Sequence, residues 1–250
     1  MKEGNEMAGL FSCLFHRKEE SGVRCAAVVP AAGSSTRMGG QDKILLPLDG
    51  QPVLAHTLRA LEQCPMIAEI VVVTRRDLIV PIGQLCRDYG FGKVTKVIPG
   101  GETRAHSVLN GVREVSSDME LVAIHDGARP LVSQSVLEEV ITRASQCGAA
   151  APAVPVKDTV KRAKDGLVTS TLNRAELFAI QTPQVFQADL IRTALSRALE
   201  DDAQLTDDCS AVERLGIGVA LTQGDYKNLK LTTPEDLVIA EALLNWEDER

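Results

Sequence analysis

Several signals that identify common classes of protein are missing from this sequence of 250 residues. Its six cysteines form no CxxC pair and no histidine lies at metal-ligand spacing, so the sequence contains neither a zinc knuckle nor a redox motif. No apolar run approaches the roughly 20 residues that a membrane-spanning helix needs. We therefore expect reduced thiols, a cytoplasmic location and no membrane partner.

An excess of basic residues is also missing. The chain has 27 Lys and Arg against 34 Asp and Glu, which gives a formal net charge of −7. A nucleic-acid backbone would be repelled on average by such a chain, so we expect no nucleic-acid partner. Any anionic substrate must instead be bound by a local group of basic side chains.

The N-terminal residues lack the order of a secretory signal. A short apolar stretch at 9–15 is followed, and not preceded, by the basic segment His16-Arg17-Lys18. We expect residues 1–24 to be a flexible extension and residues 25–250 to form one domain.

From Cys25 onward, short apolar runs alternate with amphipathic segments, which predicts an α/β fold with a mostly parallel, doubly wound sheet. The predicted strands are Cys25–Pro30, Ile70–Thr74, Val94–Ile98, Leu121–His125, Ala149–Val156 and Ile217–Thr222. The predicted helices are Pro52–Gln63, Leu78–Tyr89, Thr103–Val115, Ser133–Cys147, Gln187–Leu199 and Pro234–Trp246.

One region, at about residues 155–182, departs from this alternation. Polar and apolar residues alternate on both sides of Asp165-Gly166, and Asp-Gly between such runs is a strong hairpin signal. A hairpin that leaves an α/β domain has no core of its own, so we expect a protruding arm that packs on a second subunit.

The first candidate site is the loop after the first strand, which runs from Val28 to Pro47. It contains Ala31-Ala32-Gly33, small residues that let backbone N–H groups approach a nucleotide, and then the cations Arg37 and Lys43. The phosphate-binding patterns GxxxxGK[ST] and GxGxxG are both absent from it. An ordinary strand-to-helix turn with two solvated cations is the alternative interpretation.

Two further segments lie where strands end or helices begin. In His125-Asp126-Gly127, the carboxylate of Asp126 could bind Mg²⁺ together with water and phosphate oxygens, although a turn or helix-capping aspartate is the alternative. In the segment 100–107, a Gly-Gly turn precedes Arg104 and Ser107 at a helix N-terminus, which suits ribose or phosphate oxygens. A simple chain reversal capped by Thr103 would explain the same pattern.

Together these segments resemble the bacterial and plastid 2-C-methyl-D-erythritol 4-phosphate cytidylyltransferases of non-mevalonate isoprenoid synthesis. The resemblance extends from about residue 25 to about residue 244. The matching segments are PAAGSSTRM, PVLAHTL, GGETRAHSV, HDGARP, VKDTVKR, Thr182-Pro183-Gln184, TDDCSAVE and NLKLTTPEDL. The context of the loop lysine, Asp42-Lys43-Ile44, differs from the one common in that family.

The resemblance implies a Rossmann-like fold of the nucleotidyltransferase type, and CTP and 2-C-methyl-D-erythritol 4-phosphate as substrates. Five residues with small side chains would hold the cytidine and ribose, namely Ala31, Ala32, Gly33, Gly101 and Ser107. Three cations would act on the reacting phosphates, namely Arg37, Lys43 and Lys230.

The resemblance also implies that Asp126 binds Mg²⁺, the expected cofactor, and orients the acceptor. Four residues would recognise the acceptor, namely Arg129, Thr159, Arg174 and Thr182. Thr159 and Arg174 would reach across from the second subunit of a homodimer, in agreement with the predicted arm.

The implied reaction is attack by a phosphate oxygen of the acceptor on the α-phosphorus of CTP, with release of pyrophosphate. Three alternatives remain open at this point. The acceptor could be another sugar-alcohol phosphate such as ribitol 5-phosphate, or the chain could be a nucleotide-binding module without catalysis. A Rossmann oxidoreductase is disfavoured by the missing glycine pattern.

Overall fold

The computed structural model describes residues 23–33 and 42–248. The strands found there are β1 (Cys25–Pro30), β2 (Pro47–Leu48), β3 (Gln51–Pro52), β4 (Ile67–Thr74), β5 (Val94–Pro99), β6 (Leu121–Ile124), β7 (Ala149–Pro155), β8 (Lys161–Lys164), β9 (Leu167–Thr171), β10 (Phe178–Ile180), β11 (Gln184–Gln187) and β12 (Ala220–Gln223). The helices are α1 (Val53–Gln63), α2 (Ile79–Asp88), α3 (Arg104–Glu114), α4 (Gln134–Cys147), α5 (Ala188–Glu200), α6 (Asp208–Glu213) and α7 (Pro234–Asp248).

The main sheet has eight strands and is mostly parallel. Strand β1 lies at its centre, paired in parallel with β4 and β6, and β5 extends the sheet beyond β4. Strand β11 lies between β6 and β7 and is antiparallel to both. Strand β10 pairs antiparallel with β7 on the edge that β11 also occupies. Strand β12 pairs in parallel with the opposite edge of β7. This mixed order brings the start of β11 to the edge at which the parallel strands end.

Helices cover both faces of the sheet, because β1 is apolar on both sides. Cys25, Ala27 and Val29 pack into one buried cluster with α1, α2 and α4. Ala26 and Val28 face the other cluster, which includes α3, α5 and α6. Side chains of a strand alternate between faces, so a strand buried on both sides must be apolar throughout.

A glycine allows α3 to lie directly on the sheet. A Cβ atom added at Gly111 would be 2.4 Å from Cγ1 of Val28 and 2.8 Å from Cγ2 of Val73. Since heavy atoms cannot approach so closely, any side chain there would push α3 away from β1 and β4. Gly111 therefore fixes the height of α3, whose N-terminus borders the candidate site.

The predicted fold class is confirmed, and all six predicted strands and six predicted helices correspond to observed elements. Five short elements were not predicted, namely β2, β3, β10, β11 and α6. The prediction that residues 1–24 are a flexible extension concerns mostly residues outside the described part. Across the described residues, no helix is both long and apolar enough to cross a membrane.

The hairpin around Asp165-Gly166 is present as β8 and β9, with positive φ angles at both turn residues. Every residue from Lys161 to Thr171 is exposed. The predicted range 155–182 was too wide, because β10 joins the main sheet and Thr182 is buried beside it. We call the protruding part, residues 156–177, the arm. Its role in dimerisation stays a prediction.

Candidate active site

The candidate site lies at the edge of the sheet where β1, β5 and β6 end. Ala31 follows β1, Gly100-Gly101 follows β5, and Asp126 follows β6. Backbone hydrogen bonds hold these loops together: Ala31 N donates to Val73 O at 2.7 Å, and Gly100 N donates to Thr74 O at 2.7 Å. The carboxyl edge of an open α/β sheet is where such folds bind their ligands.

A cleft opens at this edge and contains most of the predicted site residues. Eight of them line it, namely Ala31, Ala32, Gly33, Lys43, Gly101, Ser107, Asp126 and Lys230. They come from four segments of the chain that are far apart in sequence. Lys43 lies next to Asp42, which forms a bidentate ion pair with Arg75 at the end of β4.

Asp126 is the centre of a group of three cations. Its Oδ2 accepts a hydrogen bond from Nζ of Lys230 at 2.8 Å, and its Oδ1 accepts one from Nη2 of Arg104 at 3.3 Å. Nε of Arg129 is 3.7 Å from Oδ2. Asp126 is therefore neither a solvated turn residue nor only a helix cap, which were the alternatives for it.

The electrostatics follow from this geometry. Burial alone would raise the pKa of Asp126, but Arg104, Lys230 and Arg129 hold the pKa of that carboxyl far below its usual range. Burial opposes the charged form of Arg104, whereas Asp208 and Asp126 raise its pKa. The site thus holds an ionised carboxylate and several cations at neutral pH. The N–H groups of these cations can also donate hydrogen bonds to phosphate oxygens of a ligand.

His125 and Thr182 form a buried hydrogen-bonded chain behind Asp126. The carbonyl of Arg129 can only accept, so Nε2 of His125, 3.1 Å away, must carry the proton. Oγ1 of Thr182 accepts from the backbone N of Asp126 and lies 3.1 Å from Nδ1 of His125, to which it must donate. Burial lowers the pKa of His125 to about 4. This neutral histidine fixes the backbone of the HDGARP segment.

The hydroxyl of Ser107 also holds backbone groups in place, like that of Thr182. Its Oγ donates to Thr103 O at 3.0 Å and accepts from Gly101 N at 3.0 Å. A Cβ atom added at Gly100 would lie 2.8 Å from that Oγ. A Cβ atom at Gly101 would lie 2.5 Å from Cβ of His106, so both glycines are needed for the close packing of this turn against the start of α3.

Among the described residues, three other predicted site residues, Arg129, Thr159 and Arg174, do not line the cleft. Arg37 falls outside the described residues. Arg129 is mostly buried behind Asp126, where its Nη1 donates to Asn228 O at 2.6 Å. Thr159 and Arg174 lie exposed on the arm, and Nη1 of Arg174 donates to Lys157 O. Neither of these two arm residues lines the cleft.

Sequence reasoning missed the two residues that complete the group around Asp126. Arg104 was noted at a helix start but assigned no role, and Asp208 was not considered. Nη1 and Nη2 of Arg104 donate to Oδ1 and Oδ2 of Asp208 at 2.9 and 2.8 Å. The sequence signal was that both residues lie in segments that carry the family resemblance, Arg104 in GGETRAHSV and Asp208 in TDDCSAVE.

A mostly parallel sheet with a cationic cleft at its carboxyl edge is the arrangement expected of a nucleotidyltransferase, although other nucleotide-binding α/β proteins share it. Comparison with known proteins narrows this class. The family model of 2-C-methyl-D-erythritol 4-phosphate cytidylyltransferase matches residues 25–246. The chain therefore belongs to the 2-C-methyl-D-erythritol 4-phosphate cytidylyltransferase family.

Curated relatives and solved structures agree with this assignment. A 2-C-methyl-D-erythritol 4-phosphate cytidylyltransferase of Desulforamulus reducens is 49% identical over 87% of this chain and 94% of its own. One from Caldanaerobacter subterraneus is 46% identical over 89% of this chain and 99% of its own. The crystal structure of 4-diphosphocytidyl-2C-methyl-D-erythritol synthase from Anaerococcus prevotii matches with a TM-score of 0.81 and 32% identity, over 90% of this chain and 97% of that one.

Proposed function

We propose that this protein transfers the cytidylyl group of CTP to 2-C-methyl-D-erythritol 4-phosphate. The products are pyrophosphate and 4-diphosphocytidyl-2-C-methyl-D-erythritol, an intermediate of non-mevalonate isoprenoid synthesis. Family membership supports the reaction, and the convergence of Asp126, Lys230 and Arg104 at one cleft is the structural observation that carries it.

The reaction needs little covalent chemistry from the protein. An oxygen of the acceptor phosphate forms a bond to the α-phosphorus of CTP, and the bond from that phosphorus to the bridging oxygen of the β-phosphate breaks. Pyrophosphate leaves with the electron pair. Because the attacking phosphate is already ionised, no general base is required, and catalysis depends on positioning and on neutralising charge.

Residues in different parts of the cleft have different roles in this reaction. Ala31, Ala32, Gly33 and Gly101 leave space in which backbone groups can contact the nucleoside. Lys43, together with Arg37, binds the triphosphate and stabilises the charge that grows at the α-phosphate. Lys230, which is paired with Asp126 at 2.8 Å, neutralises charge on the reacting phosphates. Arg129 and Thr182 act on the acceptor end.

Mg²⁺ is the cofactor implied by the family resemblance, and the donors at Asp126 fit it in one way. No group of three His, Cys, Asp or Glu side chains in the described part of the chain could hold a metal by itself. Mg²⁺ commonly uses one or two carboxylates and completes its shell with phosphate oxygens and water, which suits the single ionised carboxylate of Asp126. Bound there, the ion would neutralise phosphate charge.

We extend the proposal to a homodimer in which the arm of one subunit contacts the cleft of the other. Leu167 and Val168 on the arm are 73% and 63% exposed. A hairpin that carries such residues and no core of its own gains stability when a second surface covers it. Thr159 and Arg174 would then reach the partner's acceptor site. A cytoplasmic location stays a prediction.

The reaction is tested by pyrophosphate release from purified protein with CTP, 2-C-methyl-D-erythritol 4-phosphate and Mg²⁺. We expect turnover that stops with excess chelator and is much slower with other nucleoside triphosphates or with ribitol 5-phosphate. Faster turnover with ribitol 5-phosphate would assign another acceptor. Tight CTP binding without turnover on any acceptor would contradict the proposal.

The homodimer is tested by sedimentation equilibrium. We expect the wild-type protein to be a dimer and the variant Leu167→Lys/Val168→Lys to shift towards the monomer. Val80→Lys is the control, since Val80 is 76% exposed on α2, away from the arm. A monomeric wild-type protein, or an arm variant that dimerises normally, would overturn this part of the proposal.

A further inference from the structure

The ion pair between Arg104 and Asp208 joins the cleft to a buried part of the protein. Arg104 is the first residue of α3, lines the cleft, and keeps 36% of its side chain exposed. Asp208 is the first residue of α6, and its side chain is 1% exposed. The two parallel hydrogen bonds between them, at 2.9 and 2.8 Å, form a bidentate pair, which fixes the plane of the guanidinium group.

The backbone of Asp208 is itself fixed by strand β11. Oε1 of Gln184 accepts from the backbone N of Asp208 at 2.9 Å and from that of Cys209 at 3.0 Å. Nε2 of Gln184 donates to Oδ2 of Asp207 at 2.8 Å. Gln184 thus ties the start of α6 to the sheet and fixes the position from which the side chain of Asp208 reaches Arg104.

Arg104 is bound unequally by its two carboxylates. Its bond to Asp126 is 3.3 Å long, against 2.8 and 2.9 Å for its bonds to Asp208. A guanidinium group has five N–H donors, so two remain for a ligand in the cleft. Oδ1 of Asp126 is therefore the most weakly bound of the carboxylate oxygens that Arg104 contacts.

We infer that Asp208 is a positioning residue for the transfer reaction and acts through Arg104. It holds the guanidinium group at the cleft wall with free donors towards the substrates, and it keeps that group from closing onto Asp126. Without the carboxylate, Arg104 forms its strongest pair with Asp126 and blocks the oxygen that faces the phosphates. This inference rests on the proposed function, because the reaction that Asp208 would affect is the proposed cytidylyl transfer.

The test is a double-mutant cycle between Asp208→Asn and Arg104→Gln. We expect Asp208→Asn to lower kcat by about 10- to 100-fold, the range found when a supporting partner of a site residue is removed. In the Arg104→Gln background the same substitution should change kcat little, because the residue through which it acts is gone. A merely structural role would give the same loss in both backgrounds, which would overturn the inference.

Conservative variants keep the test decisive if Asp208→Asn folds poorly, as judged by its thermal midpoint. Asp208→Glu retains the charge and should recover part of the lost kcat. Arg104→Lys retains the charge but cannot form two parallel hydrogen bonds, so it should lose about as much as Asp208→Asn. Wild-type kcat in Arg104→Lys would contradict the inference.

Asp201→Asn is the matched control, since Asp201 forms an exposed ion pair with Arg214 at 3.0 Å. We expect it to leave kcat unchanged. A wild-type protein that releases no pyrophosphate would contradict the proposed function alone. The same cycle, measured as the Kd for CTP by calorimetry, then decides the inference, with non-additive effects supporting it and additive effects overturning it.

Discussion

The group around Asp126 and the arm are both rich in cations, but only the first is organised by burial. The arm carries the denser run of basic residues, namely Lys157, Lys161, Arg162, Lys164 and Arg174, and nearly all of its side chains are exposed. Around Asp126 three cations meet one carboxylate that is 10% exposed. Charges are screened by water on the arm and interact strongly in the cleft. Density of charge along a sequence therefore does not identify the reactive site.

The two regions also differ in how their contacts are made. The paired residues of β8 and β9 in the arm are at most ten positions apart, such as Lys161 and Thr171, and the other hydrogen bonds within the arm stay inside its 22 residues, such as that from Arg174 to Lys157 O. The group around Asp126 includes one near neighbour, Arg129, but its two direct hydrogen-bond donors, Arg104 and Lys230, are 22 and 104 positions away along the chain. We therefore expect changes around Asp126 to affect both catalysis and folding, and changes on the arm to affect assembly or local structure.

The largest effect is expected for the lysine next to Asp126. Lys230→Ala should lower kcat/KM by roughly 10²- to 10³-fold, the usual loss when one donor to a transition-state charge is removed. Lys164→Ala, on the exposed hairpin, should leave kcat/KM unchanged. Pyrophosphate release by both variants checks this. Equal losses, or none in either variant, would remove the contrast between the two regions.

A second effect concerns stability below neutral pH. His125 has a folded pKa of about 4, below its ordinary value of 6.5, so the unfolded chain binds a proton first as the pH falls. Its contribution to stability is complete above pH 6.5 and is lost as the pH falls towards 4, by roughly 3 kcal/mol at most. Urea unfolding from pH 7.5 to 4.5 should show this loss in the wild type.

His125→Gln supplies the comparison for that measurement. The glutamine amide can still donate to Arg129 O but does not titrate, so the variant should lose less stability between pH 7.5 and 4.5 than the wild type. The free energy of unfolding of the two proteins is compared at each pH, which cancels the titration of other groups. Parallel curves would contradict the assignment of a neutral, buried His125.

The third prediction tests whether the arm acts across the dimer. If Arg174 serves the acceptor site as proposed, Arg174→Ala should lower kcat/KM by about tenfold, since one cation at that site is removed. Co-expressed Lys230→Ala and Arg174→Ala chains should recover about a quarter of wild-type activity, because in a symmetric dimer half of the molecules then contain one intact site. If Arg174 serves its own subunit, the mixture gains almost nothing.

The smallest effect is expected at the tip of the arm. Gly166 has a φ of +80°, which L side chains rarely adopt, so Gly166→Ala should cost about 1 kcal/mol within the hairpin. Hydrogen exchange of the β8 and β9 amides should become faster, while exchange in β1 and β4 stays unchanged. Faster exchange in β1 would mean that the arm and the main sheet unfold together.

Much of the fold could be predicted from the sequence. The boundaries of β1 and β7 were predicted to within one residue, because apolar runs ended by proline or glycine mark buried strands. Strand β11 was missed since four residues, QVFQ, carry too little pattern, and only its neighbours β6 and β7 make it a strand. Helix α6 has six residues and was missed for the same reason.

The candidate site could be predicted from the residues alone where a residue follows a strand, whereas Lys230 was assigned a role only through the family resemblance. Asp126 and the segment 31–33 were predicted as cleft residues because the carboxyl ends of parallel strands meet at one edge. Arg104 and Asp208 were missed as a pair, since nothing in either local pattern points to the other. Ser107 and Thr182 were predicted as substrate contacts, and in the structure their hydroxyls support the backbone at the cleft.

The sequence by itself determined the class of fold, the order of its elements and the family, because these depend on local periodicity and on contiguous motifs. The tertiary structure alone decided which charges meet. Arg104 and Asp208 are 104 residues apart, and they pair because α3 and α6 cover the same face of the sheet. Such pairing depends on the order of strands and on burial, neither of which is encoded in any single segment of the chain.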